Sequence, residues 1–328
     1  MVWIKFIACL LVIFFSGRRV AKYGDIIADK TGLGGVWIGV ILISMVTSLP
    51  ELFTGISAVT LVDSPDLTVG DLLGANTFNL FNLAVIDTLR QNGSLFTSIS
   101  RTHALTGWFS LLLVSVVAIS IFVSIRIHPM SLGWVGWYTP LIILLYLLAI
   151  RRIFIREKQQ PSPPESEVFA REEYSGKVYL HFGVSAAFII GAGIWLPIIG
   201  EEIAVIYGWK QSFVGSLFLA FTTSLPEMTV SYTAARIGAS DMAVANIIGS
   251  NLFNMTIVPV VDLFYVTGPL LASVSLNQII TAVTLMVMTL LFIAAVHIRP
   301  GRFYRISWWN GTLIILFLVN AYFSFTLS

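Results

Sequence analysis

The string Thr47-Ser48-Leu49-Pro50-Glu51 occurs twice in this sequence, returning 176 residues later as Thr223-Ser224-Leu225-Pro226-Glu227. Each copy places a glutamate deep within an apolar stretch, where an unpaired carboxylate costs several kcal/mol. No lysine or arginine lies at a comparable depth in the sequence. Glu51 and Glu227 are therefore expected either to be protonated or to hold a cation. The alternative is a protonated, hydrogen-bonded glutamate that only links helix segments.

The prolines of the two strings supply backbone oxygens as well. A proline in mid-membrane removes an N–H group and breaks the helical hydrogen-bond ladder, so carbonyls of the preceding turn are left for neighbouring groups or for a cation. The turns concerned contain Ser44 and Thr47 in the first copy, and Ala220 and Thr223 in the second.

A second repeated string follows each glutamate: Gly74-Ala75-Asn76-Thr77-Phe78-Asn79 recurs 175 residues later as Gly249-Ser250-Asn251-Leu252-Phe253-Asn254. The amide oxygens of Asn79 and Asn254 suit an oxygen cage for a hard cation. Ser250 lies one helical turn before Asn254, on the same face, and could add a hydroxyl; its counterpart Ala75 cannot. The alternative is hydrogen bonding between helices, which membrane proteins commonly build from amides and small residues.

Several neighbouring residues have a structural interpretation. Asn76 and Asn251 occupy a different helix face and are expected to cap or bridge helices. Close approach of backbones is expected at Gly70, Gly74 and Gly249. Asp87 and Asp262 lie about 12 Å along the helix beyond the asparagines, where they could attract cations to the two mouths of the site, cap helix ends or pair with nearby basic groups. The same alternatives apply to Asp71, placed near the outer entrance of its helix, while Glu201 and Glu202 are expected in an outer loop.

The composition sets the class of protein that must position these groups. Of 328 residues, 57% are hydrophobic and 11% are charged, and the mean hydropathy is +0.88. Soluble domains are about a quarter charged, so a water-soluble enzyme is excluded. A net charge of +2 does not fit a nucleic-acid binder, and one cysteine cannot form an internal disulfide or a zinc or redox pair. The sequence is that of an all-α polytopic membrane protein.

Apolar stretches separated by charged residues, glycine or proline predict ten helices. They cover about 2–17, 35–61, 67–89, 104–125, 131–150, 177–199, 212–236, 241–265, 275–296 and 306–326. The first is expected to be retained rather than cleaved as a signal peptide, because Arg18, Arg19 and Lys22 follow its apolar run and no small-residue cleavage site ends it. It is expected to continue through the amphipathic stretch 18–30.

The positive residues orient these helices in the membrane. With the N-terminus outside, sixteen of the 19 lysines and arginines fall on the cytoplasmic side, and only Lys5, Arg126 and Lys210 fall outside. Both termini are therefore predicted to be outside. The polar stretch 156–176 is predicted to be a cytoplasmic linker between five-helix halves, 1–155 and 177–328; a regulatory site within it is the alternative.

Because each half has an odd number of helices, the two copies of the motif, at 39–87 and 215–262, must enter the membrane from opposite sides. In transporters, such inverted-topology repeats place the substrate site near the midplane, on interrupted helices. The sequence thus predicts an ion site built by the second, third, seventh and eighth helices.

Two copies of Thr-Ser-Leu-Pro-Glu, each followed by Gly-(Ser/Ala)-Asn-x-Phe-Asn, closely resemble the alpha-repeats of the calcium/cation antiporter superfamily, in particular those of compact prokaryotic sodium/calcium exchangers. The resemblance implies exchange of Ca²⁺ for Na⁺ by alternating access, without a cofactor. By position it implies that Glu51 and Glu227 coordinate calcium and share the sodium sites. It implies further ligands at Thr47, Ser48, Thr223, Ser224, Asn79, Ser250 and Asn254, and at the carbonyls of Ser44 and Ala220.

The sequence departs from that family at several positions. Asn254 stands where some relatives have aspartate, Ala75 where most have serine, and Asp71 where its repeat partner Asn246 keeps an asparagine.

The resemblance also bears on the driving ion. The Leu-Pro dipeptide before each glutamate favours sodium over protons, because the proton-exchanging members of the superfamily usually have a different glutamate motif; coupling to H⁺ or K⁺ is the alternative. The expected partners are Ca²⁺, Na⁺ and the lipid bilayer, and a monomer can suffice. A cation channel is a more remote alternative, and no motif indicates an enzyme.

Overall fold

Apolar stretches form helices throughout the computed structural model, which describes residues 1–30, 43–90, 93–128, 130–157, 177–299 and 307–326. In chain order the helices are α1 (Val2–Lys30), α2 (Ser44–Thr47), α3 (Leu49–Leu61), α4 (Pro65–Leu89), α5 (His103–Arg126), α6 (Tyr138–Glu157), α7 (Lys177–Tyr207), α8 (Gln211–Val214), α9 (Ala220–Thr223), α10 (Leu225–Arg236), α11 (Ser240–Phe264), α12 (Gln278–Ile298) and α13 (Trp308–Thr326). A π-helical turn, Gly215–Leu219, joins α8 to α9. Short 3-10 turns, Leu95–Thr97 and Leu270–Ala272, follow α4 and α11.

Seven of the described helices are long and apolar enough to cross a bilayer, namely α4, α5, α6, α7, α11, α12 and α13. The segments Gln211–Thr223 and Leu225–Arg236, bent by 45°, form an eighth span when they are counted as one. α3 is a shorter apolar helix. The prediction of a helical membrane protein with several spans is confirmed, and the count of ten spans stays a prediction.

Two predicted helices are longer in the structure. α1 is one helix of 29 residues, as expected from the amphipathic stretch that follows its apolar run. α7 continues through Pro197 to Tyr207, so the expectation that Glu201 and Glu202 lie in a loop is wrong. Glu201 accepts a hydrogen bond from Gln211 (2.5 Å), and Glu202 pairs with Lys5 (2.7 Å). Of the predicted linker 156–176, residues 156–157 belong to α6 and residues 158–176 lie outside the described residues, as do residues 35–42 of the predicted helix 35–61.

One predicted helix, 131–150, starts too early. Its first six residues form an antiparallel hairpin, β1 (Ser131–Leu132) and β2 (Val135–Gly136). Gly133, at the hairpin turn, has a φ of +70°, which glycine adopts without steric cost. The helix begins instead at Tyr138, whose hydroxyl donates a hydrogen bond of 2.8 Å to buried Asp262. This tertiary contact fixes a boundary that the apolar pattern alone does not reveal.

Burial places α4 and α11 at the centre of the helix bundle. About nine-tenths (89%) of the apolar window of α4 is buried and 67% of that of α11, against 28% for α6 and α13. The outer helices therefore leave most of their apolar surface free to face lipid, while the asparagine strings lie on the two central helices. The predicted asparagine motifs thus lie on the two most enclosed of the seven long apolar helices.

Glycines let α4 lie directly against the segment that leads into the second glutamate motif. A Cβ atom on Gly74 would lie 2.4 Å from the backbone oxygen of Ser216, in the π-helical turn. A Cβ atom on Gly70 would lie 2.9 Å from the backbone oxygen of Ser212. The predicted close approach is confirmed at these two positions, and it brings α4 next to the π-helical turn and to the start of α9, the helix that contains Thr223.

Replacement of Gly74 by alanine should destabilise the protein, because the oxygen that the new methyl group would meet is a main-chain atom and cannot rotate away. Overpacking of this kind costs about 1–3 kcal/mol. The measurement is the thermal unfolding midpoint of the purified protein in detergent. Gly191→Ala, in α7, is the matched control, because nothing lies within 4 Å of its Cβ position. An equal midpoint for the two variants would contradict the tight contact.

Candidate ion-binding site

Each Thr-Ser-Leu-Pro-Glu string breaks its helix at the serine. Ser48 (φ −87°, ψ 12°) separates α2 from α3, and Ser224 (φ −82°, ψ 4°) separates α9 from α10. The proline of each string then lies in the first turn of the following helix, where a missing N–H group costs no helical hydrogen bond. Glu51 and Glu227 are consequently held in the first turn of α3 and of α10, where the helix dipole favours a negative charge.

The two glutamates are bound by serines from opposite halves of the chain. Ser48 donates a hydrogen bond to Oε1 of Glu227 (3.1 Å), and Ser224 donates one to Oε1 of Glu51 (3.4 Å). Ser250 on α11 adds a third bond, to Oε1 of Glu227 (3.4 Å). Both glutamates are 0% exposed. The structure thus brings these five predicted site residues into one place.

Several oxygen atoms in this region have no hydrogen-bond partner although they are buried. They include Oε2 of Glu51, Oε2 of Glu227, Oδ1 of Asn79 and Oδ1 of Asn254. A buried acceptor without a partner is costly, and within the described ranges no lysine or arginine is buried to supply one. A bound cation would satisfy such oxygens. In the same ranges no three His, Cys, Asp or Glu side chains come together as a metal cluster, so hydroxyl and amide oxygens must complete any site.

The asparagines form a reciprocal network between α4 and α11. The Nδ2 atom of Asn76 donates to the carbonyl of Asn251 (3.0 Å), and Nδ2 of Asn251 donates to the carbonyl of Asn76 (3.1 Å). The side-chain oxygens of this pair accept hydrogen bonds from Asn79 (2.9 Å) and Asn254 (3.0 Å). The predicted helix-bridging role of Asn76 and Asn251 is confirmed. Because the amide nitrogens of Asn79 and Asn254 are occupied, it is their oxygens that remain for an ion.

The threonine hydroxyls lie beside backbone carbonyls in both halves. Thr47 donates to the carbonyl of Ser44 (3.2 Å), and Thr223 lies 3.4 Å from the carbonyl oxygen of Ala220. These two carbonyls also accept the backbone N–H groups of Ser48 (3.0 Å) and Ser224 (3.1 Å). The expected carbonyl–hydroxyl pairs are therefore present, but the prolines do not leave these carbonyls free. A threonine hydroxyl can rotate, which would make room at a carbonyl for a cation.

Asp71 belongs to this region, although sequence reasoning placed it near an entrance of the site. It is 0% exposed, and Thr223 donates a hydrogen bond of 3.0 Å to its Oδ1 atom. The expectation of a place near the entrance is therefore wrong. The signal that could have located it is spacing: residues 71, 75 and 79 share one face of α4, just as 246, 250 and 254 share one face of α11.

Asp87 and Asp262 hold the turns that follow α4 and α11. The backbone N–H of Leu95 donates to Asp87, and that of Leu270 donates to Asp262 (2.7 Å). Asn310 also donates to Asp87 (2.6 Å). Both carboxylates are 0% exposed, so the capping interpretation is confirmed and the vestibule interpretation is wrong.

Nearly the whole chain matches one family of known proteins. The family model described as sodium/calcium exchanger protein matches residues 1–154 and 177–326, nearly the whole chain. The chain belongs to the sodium/calcium exchanger family. This is a family of transporters rather than enzymes, and its members lie in membranes.

Individual relatives of this exchanger are distant. It is 27% identical over 253 residues to inner membrane protein YrbG of Escherichia coli, covering 76% of this chain and 75% of that protein. It is 31% identical over 173 residues to sodium/potassium/calcium exchanger 2 of Gallus gallus, covering 51% of this chain and 25% of that one. A structure of the sodium-calcium exchanger NCX_Mj, soaked with Na⁺ and Sr²⁺, matches with a TM-score of 0.61 at 18% identity, covering 97% of this chain and 98% of that chain. This last match establishes the shared fold.

Replacement of Asp262 by asparagine should destabilise the exchanger through the fold and not through the ion site. Its carboxylate accepts hydrogen bonds from the N–H groups of Gly136 and Leu270 and from the hydroxyls of Tyr138 and Thr139. An amide would turn its own donors toward some of these groups, and each unsatisfied buried group costs about 1–3 kcal/mol. We expect a lower thermal unfolding midpoint, with unchanged half-saturating Ca²⁺ in the folded fraction. A changed Ca²⁺ requirement at unchanged stability would contradict the capping role.

Proposed function

We propose that this exchanger moves Ca²⁺ against Na⁺ by alternating access, with Glu51 and Glu227 as ligands shared by the two ions. One observation carries the proposal. Two fully buried glutamates from equivalent positions are each bound by a serine of the other half, and each keeps one oxygen without a partner. Such a pair needs positive charge, and within the described ranges no lysine or arginine is buried to provide it.

The proposed ligands are the two carboxylates and groups from nine further residues. They are the side chains of Glu51, Glu227, Asn79, Asn254, Ser250, Thr47, Ser48, Thr223 and Ser224, together with the carbonyls of Ser44 and Ala220. The unpartnered oxygens of the glutamates and asparagines support their assignment. Oxygen ligands of mixed type suit hard cations such as Ca²⁺.

Charge balance explains how the two ions would be coupled. Two ionised glutamates carry two negative charges, which one Ca²⁺ neutralises, as do two Na⁺. A cation about 4 Å from a carboxylate gains roughly 4 kcal/mol per pair of unit charges at an effective dielectric near 20. An empty site with two charges would therefore resist passage through the membrane, whereas an occupied one would not. Because the empty site would not change sides readily, release of Ca²⁺ would have to be followed by binding of Na⁺, and the two ions would be exchanged.

The proposed architecture consists of ten spans in two inverted five-helix halves, 1–155 and 177–328. Both termini lie outside, and the linker 156–176 is cytoplasmic. The reciprocal hydrogen bonds of Ser48 with Glu227 and of Ser224 with Glu51 support this two-fold relation, because each bond is the repeat-equivalent of the other. The four interrupted or central segments, α2–α3, α4, α8–α10 and α11, would form the ion-binding core.

A K⁺-dependent exchanger is a second candidate. The relative from Gallus gallus that is 31% identical over about half of this chain carries potassium in its name. Proton-driven exchange is a further alternative for the coupling ion.

Ca²⁺ uptake into proteoliposomes, driven in turn by Na⁺, K⁺ and H⁺ gradients, distinguishes the three possible coupling ions. We expect the Na⁺ gradient to drive uptake; uptake driven by protons but not by sodium would overturn the proposal, and ion flux without a counter-ion would indicate a channel.

Replacement of Glu51 or Glu227 by glutamine should abolish Na⁺-driven Ca²⁺ uptake, because it removes one of the two charges that Ca²⁺ needs. The variants should remain folded, since a neutral amide is easier to bury than an unpaired carboxylate. Glu202→Gln is the matched control: it removes the same charge from a part-exposed ion pair with Lys5 and should leave uptake intact. Full activity of Glu51→Gln or Glu227→Gln would refute the shared-ligand role.

A further inference from the structure

The first half of the chain buries an additional carboxylate, on Asp71 of α4. Its Oδ1 atom accepts a hydrogen bond from Thr223 (3.0 Å), and its Oδ2 atom is buried without a hydrogen-bond partner. The side chain is 0% exposed. Burial of a carboxylate oxygen without a hydrogen-bond donor is costly, and a positive group bound to this oxygen would reduce that cost.

The equivalent residue of the second half, Asn246 of α11, has all of its polar atoms in use. Its Nδ2 atom donates to the carbonyl of Glu227 (3.2 Å) and to the hydroxyl of Ser231 (2.9 Å), and its Oδ1 atom lies 3.5 Å from Thr47 Oγ1. The repeat-equivalent of Ser231 is Gly55, which has no hydroxyl, and a carboxylate has no hydrogen to donate to a carbonyl. Asp71 therefore cannot form the contacts that Asn246 forms, and the site differs between the two halves.

Further oxygens lie next to Asp71. The hydroxyl of Thr223, which touches the carboxylate, is 3.1 Å from the carbonyl oxygen of Leu219 and 3.4 Å from that of Ala220. One carboxylate, one hydroxyl and two carbonyls thus lie together on one side of the site. With a single negative charge, this set matches a monovalent cation, while the glutamate pair matches a divalent one.

We propose that Asp71 is a ligand of a monovalent cation, Na⁺ or K⁺, which it holds together with Thr223 and the carbonyl of Ala220. The two halves of the exchanger are then unequal, because the position equivalent to Asp71 carries a neutral amide. This inference rests on the proposed exchange function, of which it names one more ion-binding residue.

Asp71→Asn tests the role of the charge alone, because asparagine keeps an oxygen that can accept the Thr223 hydrogen bond and is the residue found at the equivalent position. The readout is the thermal unfolding midpoint of the purified protein titrated with NaCl or KCl against choline chloride at constant ionic strength. We expect half-maximal stabilisation of the variant to need about tenfold more of the monovalent cation, with the Ca²⁺ response shifted less. The ion that shows the larger change is the one bound. Asp63→Asn, at an exposed turn with a φ of +53° that asparagine tolerates, is the control.

An unchanged response of Asp71→Asn to both Na⁺ and K⁺ would overturn the inference and leave Asp71 as a hydrogen-bond acceptor only. If that variant does not fold, Asp71→Ser supplies the same neutral test with a smaller side chain. Failure of the proposed exchange function would be seen separately, as absence of Na⁺-driven Ca²⁺ uptake by the unmodified protein. If the unmodified protein shows Na⁺-driven Ca²⁺ uptake and the Na⁺ and K⁺ titrations of Asp71→Asn are unchanged, only the role of Asp71 is rejected and the proposed exchange function stands.

Discussion

Two carboxylates enclosed among apolar helices, with no buried lysine or arginine in the described structure to balance them, form the constraint on which the rest of the molecule depends. Leaving such charges unpaired is costly in a medium of low dielectric constant. Hydroxyls from Ser48, Ser224 and Ser250 offset part of that cost but carry no charge. The two carboxylates therefore need a positive charge that is not part of the chain, and the proposed exchange of cations follows from that need.

The site depends on both halves of the chain because the important contacts are reciprocal. Beyond the serine–glutamate pairs and the asparagine network, the same relation holds at the periphery: Asp66 accepts from the N–H of Ser275 (2.9 Å), and Asp241 accepts from that of Ser100 (2.6 Å). Each contact joins one half to the other. Neither half can therefore complete the site alone, and movement of one half against the other would act on both carboxylates at once. Asp71 breaks this equivalence at one position.

Comparison of the two halves of the sequence located the glutamates and asparagines because strings that recur at a nearly constant offset mark equivalent positions. The same comparison misplaced Asp71 because its equivalent in the second half, Asn246, is a different residue type, so the pair did not stand out as a repeat. The structure shows that the Asp71 side chain is fully buried. The hairpin at 131–136 was missed because no charged residue separates it from the apolar run that follows, and a distant carboxylate, Asp262, fixes the start of α6. The prolines predicted the breaks in the two helices, but the hydrogen bonds that occupy the carbonyls of Ser44 and Ala220 depend on the folded backbone and are not contained in the spacing.

Equilibrium binding of radiolabelled Ca²⁺ to the purified protein, titrated with Na⁺ at constant ionic strength, tests the shared use of the two glutamates most directly. If both ions share these ligands, Na⁺ should displace Ca²⁺ completely, with a steepness that indicates more than one Na⁺ per Ca²⁺. Glu51→Gln and Glu227→Gln should lose the high-affinity Ca²⁺ binding that Na⁺ can displace. Ca²⁺ that stays bound at saturating Na⁺, or that binds both variants as tightly as the unmodified protein, would contradict shared ligation.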